Sequence, residues 1–158
     1  MDRLVVAAAF LAALGSGLMA GLFFAFSTSV MAALARISAP AGISAMQAIN
    51  VTILNPVFFT VFFGTAALSL FLLLAALAGW GEGRTAALVA GSLLYLAGCM
   101  AVTMIFNVPL NNALAAASAT SADAAPVWTR YLSSWVAWNH ARTVTCLGAL
   151  AAYITALR

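Results

Sequence analysis

Four apolar runs, residues 4–35, 56–79, 85–106 and 138–157, take up most of the chain. Each is long enough to cross a bilayer, for which about 20 residues suffice. Lipid offers the backbone no hydrogen-bond partners, so such runs must pair their own N–H and C=O groups as helices. The expected fold is all-α: a single-domain four-helix transmembrane bundle over residues 1–158, with short interfacial helices in the loops after helices 1 and 3. A soluble domain is excluded, since 6% of the residues are charged against roughly 25% in soluble domains.

The first run follows Arg3 as a secretory signal would, yet it continues past Gly21 through "LFFAFSTSVMAALA". That exceeds the roughly 7–15 residues of a signal core, so a retained helix is expected, one that must tilt or project beyond the membrane. Ala9, Ala13, Gly17 and Gly21 recur every four residues. Such a ridge admits a close neighbour in lipid, either within the bundle or, through Gly17 and Gly21, a second copy in a homo-oligomer. Asn55-Pro56 is an N-cap followed by a first-turn proline, the start of helix 2. "GWGEGR", residues 79–84, is a tight turn whose glycines are expected at positive φ. Pro109 should push Val108 toward extended geometry and end helix 3 near Phe106. The small, weakly polar "ALAAASATSADAAP" reads as an interfacial or mobile segment.

With four spans, the loops after helices 1 and 3 share one side of the membrane. Together with the first turns of helix 4 they hold all six asparagines, the sole glutamine Gln47 and the sole histidine His140. Trp128, Tyr131, Trp135, Asn139 and Arg142 follow one another at spacings of 3, 4, 4 and 3, which places them on one helical face. Counting a full span back from Leu157 reaches Trp138, so Arg142 is expected at least a turn inside the membrane. An arginine at mid-bilayer costs about 2.5–3.5 kcal/mol. It must snorkel to the headgroups or sit in a pocket of amides and indoles, and Asn139 and Trp135 on its own face favour the pocket. His140, about 100° around the helix from Asn139, is free to face a neighbouring helix instead. Trp138 fits an interfacial aromatic belt.

Other chemistry is poorly supplied. The acids Asp2, Glu82 and Asp123 are dispersed, so a two-histidine or carboxylate metal site has no ligands, and a haem on His140 alone has no second signal. No cofactor and no metal are expected. The six arginines are scattered and form no nucleic-acid patch. Cys99 and Cys146 form no close pair in sequence and read as buried thiols.

"GLMAGLFFAFSTSVMAAL" (17–34), "AMQAIN" (45–50), "LNP" (54–56), "FNVPLNNAL" (106–114) and "WTRYLSSWVAWNHART" (128–143) together resemble the anthrone oxygenase-like family of small membrane proteins, most of whose bacterial members are uncharacterised. The resemblance implies oxidation of a flat phenolic substrate, an anthrone, by molecular oxygen without metal or flavin. It implies substrate contacts from Gln47, Asn50, Asn107, Asn111, Trp128, Tyr131 and Trp135. His140 would be the base, with Arg142 and Asn139 facing the developing oxyanion. Such a substrate would arrive from the lipid bilayer and stack on Trp128 or Trp135. The alternative is a non-catalytic membrane protein that uses the same pocket to bind a small amphipathic ligand or a partner helix. Arg3, Arg84 and Arg158 on one side against Arg36 and Arg130 on the other lean toward cytoplasmic termini, in a bacterial inner membrane.

Overall fold

A computed structural model describes residues 2–121 and 124–158. The helices are α1 (Arg3–Leu34), α2 (Ala39–Thr52), α3 (Pro56–Leu77), α4 (Thr85–Ala116) and α5 (124–156). The expectation of four helices is therefore corrected to five. Among the described residues three of them, α1, α3 and α4, are long and apolar enough to cross a membrane, and the protein is an integral-membrane protein. Helix α2 has 14 residues, too few for a span. Helix α5 is long, but Asn139, His140, Arg142, Thr143 and Thr145 dilute its apolar content.

The helix starts follow local chemistry. Asp2 caps α1 by accepting from the Leu4 N–H at 2.9 Å. Asn55 caps α3 by accepting from the Phe58 N–H at 3.0 Å, with Pro56 in the first turn. In the turn joining α3 to α4, Gly79 and Gly83 have φ of 88° and 85° as the glycine pattern requires, and Glu82 rather than Gly81 is the third residue at positive φ.

Two boundaries differ from the expected ones. Helix α4 continues through Pro109 to Ala116, and Val108 is helical at φ −62°, ψ −46°. The reason is a π segment at Thr103–Asn107, in which the Val108 N–H bonds to the Thr103 carbonyl five residues back. This wider turn relieves the encounter between the proline ring and the carbonyl four residues before it. Helix α5 likewise starts at 124 instead of 138 and passes through a π segment at Tyr131–Trp135. Of the expected mobile segment, Ala122 and Asp123 lie outside the described residues.

Helix α1 packs against α3 and α5, and α4 closes the ring by packing against the same two. Close approach is achieved with small residues: Gly15 faces Thr65, Gly98 faces Thr145, and a Cβ at Gly91 would lie 2.8 Å from Tyr153 Cε1. The Ala9, Ala13 and Gly17 part of the ridge serves the bundle, Gly17 standing against Leu150, whereas a Cβ at Gly21 would meet no other part of the bundle within 4 Å. Apart from the Ser16 hydroxyl, which is buried without a hydrogen-bond partner, polar groups in this core bond internally, as a membrane interior demands. The Tyr95 hydroxyl donates to the Phe62 carbonyl at 3.0 Å, and the Tyr153 hydroxyl to Ser69 Oγ at 2.8 Å. Outward-facing Phe10, Leu14, Leu18, Leu70 and Leu74 give the bundle an apolar exterior.

A second, smaller core caps one end of the ring. Ile43 and Met46 of α2 pack with Met31, Leu114, Trp128, Tyr131 and Trp135. Asn139 and Arg142 lie where the two cores meet, beside Phe23 of the first and Trp135 of the second.

Candidate functional site

Side chains three and four residues apart share a helix face, and on α5 this face is buried without interruption: Trp128, Tyr131, Trp135, Asn139, Arg142 and Cys146. Trp128, Tyr131 and Trp135 stack in sequence, with ring centres 5.9 Å and 5.5 Å apart. One turn beyond the last ring comes Asn139, and then Arg142.

Arg142 is 5% exposed. Its Nη2 donates to Asn139 Oδ1 and its Nη1 to Thr103 Oγ1 at 3.2 Å. The guanidinium carbon lies 4.1 Å from the centre of the Phe23 ring and 5.3 Å from that of Trp135, distances at which aromatic faces attract a cation. Asn139 is itself anchored, its Nδ2 donating to the Phe23 carbonyl at 2.7 Å and to Ser27 Oγ at 2.6 Å. The cation is therefore held by neutral groups from α1, α4 and α5. Among the described residues no carboxylate neutralises it there, since the acids Asp2 and Glu82 belong to the opposite end of the bundle.

Arg142 and Trp135 form part of the wall of a cavity of about 420 Å³, within the roughly 300–1,000 Å³ typical of small-molecule sites. Phe23 and Phe26 of α1 and Phe58 and Phe62 of α3 make an aromatic side. Gln47 and Asn50 of α2, with Asn111 and Asn112 of α4, make a polar end. Phe59, Phe63 and Met104 also line it, and all three are exposed on spanning helices, Met104 by 52%. The cavity thus has a mouth between α3 and α4 built of lipid-facing apolar side chains.

Five of the ten expected residues line this space and the other five do not. Gln47, Asn50, Asn111, Trp135 and Arg142 line it. Gln47 is fixed by donating to the Leu114 and Ala117 carbonyls at 2.8 and 2.9 Å, which leaves its oxygen as an acceptor. Tyr131 stands behind the polar end, donating to Asn111 Oδ1 at 2.8 Å and accepting from Asn50 Nδ2 at 3.4 Å. Burial raises the Tyr131 phenol above its ordinary range, with partial relief from the Asn50 hydrogen bond and the Arg142 charge, so it is a neutral donor. Asn107 holds the Trp135 carbonyl at 3.3 Å, and Trp128 backs Tyr131. His140 is exposed and is not among the residues lining the cavity. Trp138 stacks on Phe106 at 3.6 Å, outside it.

Sequence reasoning missed the phenylalanines. Phe58, Phe59, Phe62 and Phe63 repeat at helical spacing, but in a span that pattern is equally that of a lipid-facing surface. It also missed Thr103, which donates nothing to sequence motifs but accepts from Arg142.

A family model described as anthrone oxygenase matches residues 58–152, more than half of the chain. The chain belongs to the anthrone oxygenase family. The matched segment of this family member takes in the phenylalanines of α3, the polar turns of α4 and the whole buried stripe of α5, while Gln47 and Asn50 precede it. No curated protein and no solved structure matches the chain.

Proposed function

We propose that the cavity binds a flat, hydroxylated polycycle of the anthrone type and promotes its oxidation by molecular oxygen. The observation that carries the reading is the buried Arg142 guanidinium, held by neutral partners, in the wall of a cavity that is otherwise aromatic and amide-lined.

A planar guest fits against Phe58 and Phe62 with its ring edge toward Gln47, Asn50 and Asn111, whose free oxygens and N–H groups match phenolic hydroxyls. An anthrone has a methylene group whose proton, passed to water, leaves an anion delocalised onto the carbonyl oxygen. A fixed cation in a site of low dielectric stabilises such an oxyanion far more than water does. The anion is electron-rich enough to reduce oxygen. In the overall reaction the methylene loses two hydrogens and gains one oxygen atom as a ketone, and the second oxygen atom leaves as water. Arg142 carries the anion-stabilising role, and Asn139 and Thr103 act as positioning residues for it. The reading places no step on His140, which stands outside the cavity lining. Oxygen and the guest both dissolve in the bilayer and reach the mouth between α3 and α4 from there.

The test is oxygen uptake by the purified protein in lipid with a hydroxylated anthrone, using isotopically heavy oxygen. One labelled atom should appear in the ketone, at a rate that falls about 10²–10³-fold in Arg142→Met, the usual cost of losing an oxyanion donor. Saturable binding with uptake no faster than the uncatalysed background would leave a ligand-binding protein and end the oxygenase reading.

A further inference from the structure

A second cavity, of about 340 Å³, lies on the other side of Tyr131, between α4 and α5. Tyr131 is the partition: its side chain lines this cleft, while its hydroxyl bonds to Asn50 and Asn111 of the first cavity. The function proposed above makes no use of it.

Its position relative to the bilayer follows from helix lengths. Helix α3 has 22 residues, about 33 Å at 1.5 Å per residue, which matches the roughly 30 Å hydrocarbon layer. Helix α4 starts beside the end of α3 and climbs back along it; its π segments at Leu94–Ala101 and Thr103–Asn107 rise less per residue than α-helix, so the same height is reached at about residue 106 or just after it. Phe106 therefore marks the hydrocarbon boundary. Trp138 lies parallel on it, the rings 8° from coplanar.

From that boundary one ridge of α5 lines the cleft upward, with Trp138, Ser134 and Arg130 at four-residue intervals. Four residues of α-helix rise about 6 Å and the π segment at Tyr131–Trp135 rises less, so an indole, a hydroxyl and a guanidinium succeed one another within about 12 Å from the membrane edge outward. Ile105 and Leu110 supply an apolar side on α4. The described carboxylates belong to the other end of the bundle, as noted for Arg142, so nothing acidic among them meets the Arg130 charge.

We infer that this cleft binds an anionic phospholipid, its phosphate on Arg130, its glycerol ester beside Ser134, and its upper acyl chain along Ile105 and the Phe106–Trp138 pair. The order of chemistry along the ridge is the order along the lipid. An anionic headgroup is favoured over a zwitterionic one because choline would bring a second cation beside the arginine. One basic residue at an anionic surface corresponds to about a fivefold preference.

The experiment measures lipid retention by the purified full-length protein in detergent, by native mass spectrometry, with equimolar phosphatidylglycerol and phosphatidylcholine. The wild type should retain the anionic lipid about fivefold over the other, Arg130→Gln should bring the ratio to about one, and Ser134→Leu, which fills the cleft, should reduce retention of both. Equal retention by the wild type, or a ratio unchanged in Arg130→Gln, would overturn the inference. Should Arg130→Gln not fold, phosphatidylglycerol brominated in its upper acyl chain serves with the wild type. It should quench tryptophan emission more than brominated phosphatidylcholine does, and equal quenching would refute the site.

Discussion

Replacing Asn139 by alanine tests the arrangement that holds the buried cation. The side chain accepts from Arg142 and donates to the Phe23 carbonyl at 2.7 Å and to Ser27 Oγ at 2.6 Å. A hydrogen bond to a charged group contributes about 1.5–3 kcal/mol, a neutral one about 1 kcal/mol, and water has little room to replace any of them. The variant should lose about 3–5 kcal/mol, comparable to breaking a buried charge's pairing. At roughly 2–4 °C per kcal/mol for a chain of this size, the melting temperature in detergent should fall by about 6–20 °C. Arg142→Met alone should be much milder, because it removes the charge together with its need for partners. In the double variant the Asn139→Ala penalty should shrink by at least about 1.5 kcal/mol, the coupling expected of groups in direct contact. A melting temperature for Asn139→Ala within about 2 °C of wild type, or a penalty unchanged in the Arg142→Met background, would refute the view that Asn139 exists to hold Arg142.

Two further outcomes follow from the packing and the phenol. Gly91→Val places a side chain where a Cβ alone would lie 2.8 Å from the Tyr153 ring, so it should destabilise by about 1–3 kcal/mol and be rescued in part by Tyr153→Ala, which removes that ring. A folded Gly91→Val of wild-type melting temperature would contradict the close approach of α4 and α5. Tyr131 is raised above the ordinary tyrosine value near 10 chiefly by burial, so the fold favours its neutral form. Its contribution to stability is complete below pH 10 and lost as pH rises through the higher folded value. The tyrosinate absorbance of wild type minus Tyr131→Phe should therefore show no ionisation at pH 10, and ionisation there would place the phenol in water.

The helix starts at Asn55-Pro56 and the glycine turn were legible because each is a local effect of one or two residues. So was the α5 stripe: Trp128 to Arg142 all lie buried on one face, as their spacing requires. The helix count was not legible. Pro109 reads as a stop in any one-dimensional account, and only the π segment beneath it lets α4 run on to Ala116. The same device carries α5 through 131–135, so two expected interfacial pieces fuse with longer helices, whereas α2 stays separate. Within the site, the polar end could be gathered from the asparagines and Gln47, because amides in an apolar chain stand out. The aromatic side from α1 and α3 could not, since a phenylalanine facing a guest and one facing lipid have the same neighbours in sequence. His140 shows the converse: chemical suitability made it a candidate, and the rotation of about 100° between it and Asn139 leaves it exposed.

The most direct test of the account is equilibrium binding of a hydroxylated anthrone, kept under anaerobic conditions, to the protein in lipid nanodiscs. Trp135 emission reports occupancy because that ring forms part of the cavity wall. The account predicts saturable quenching that weakens about tenfold or more in Arg142→Met, the loss of roughly 1.4 kcal/mol or more, and is unchanged in His140→Ala. Equal affinity in wild type and Arg142→Met would contradict it, for the buried cation would then have no part in holding the guest.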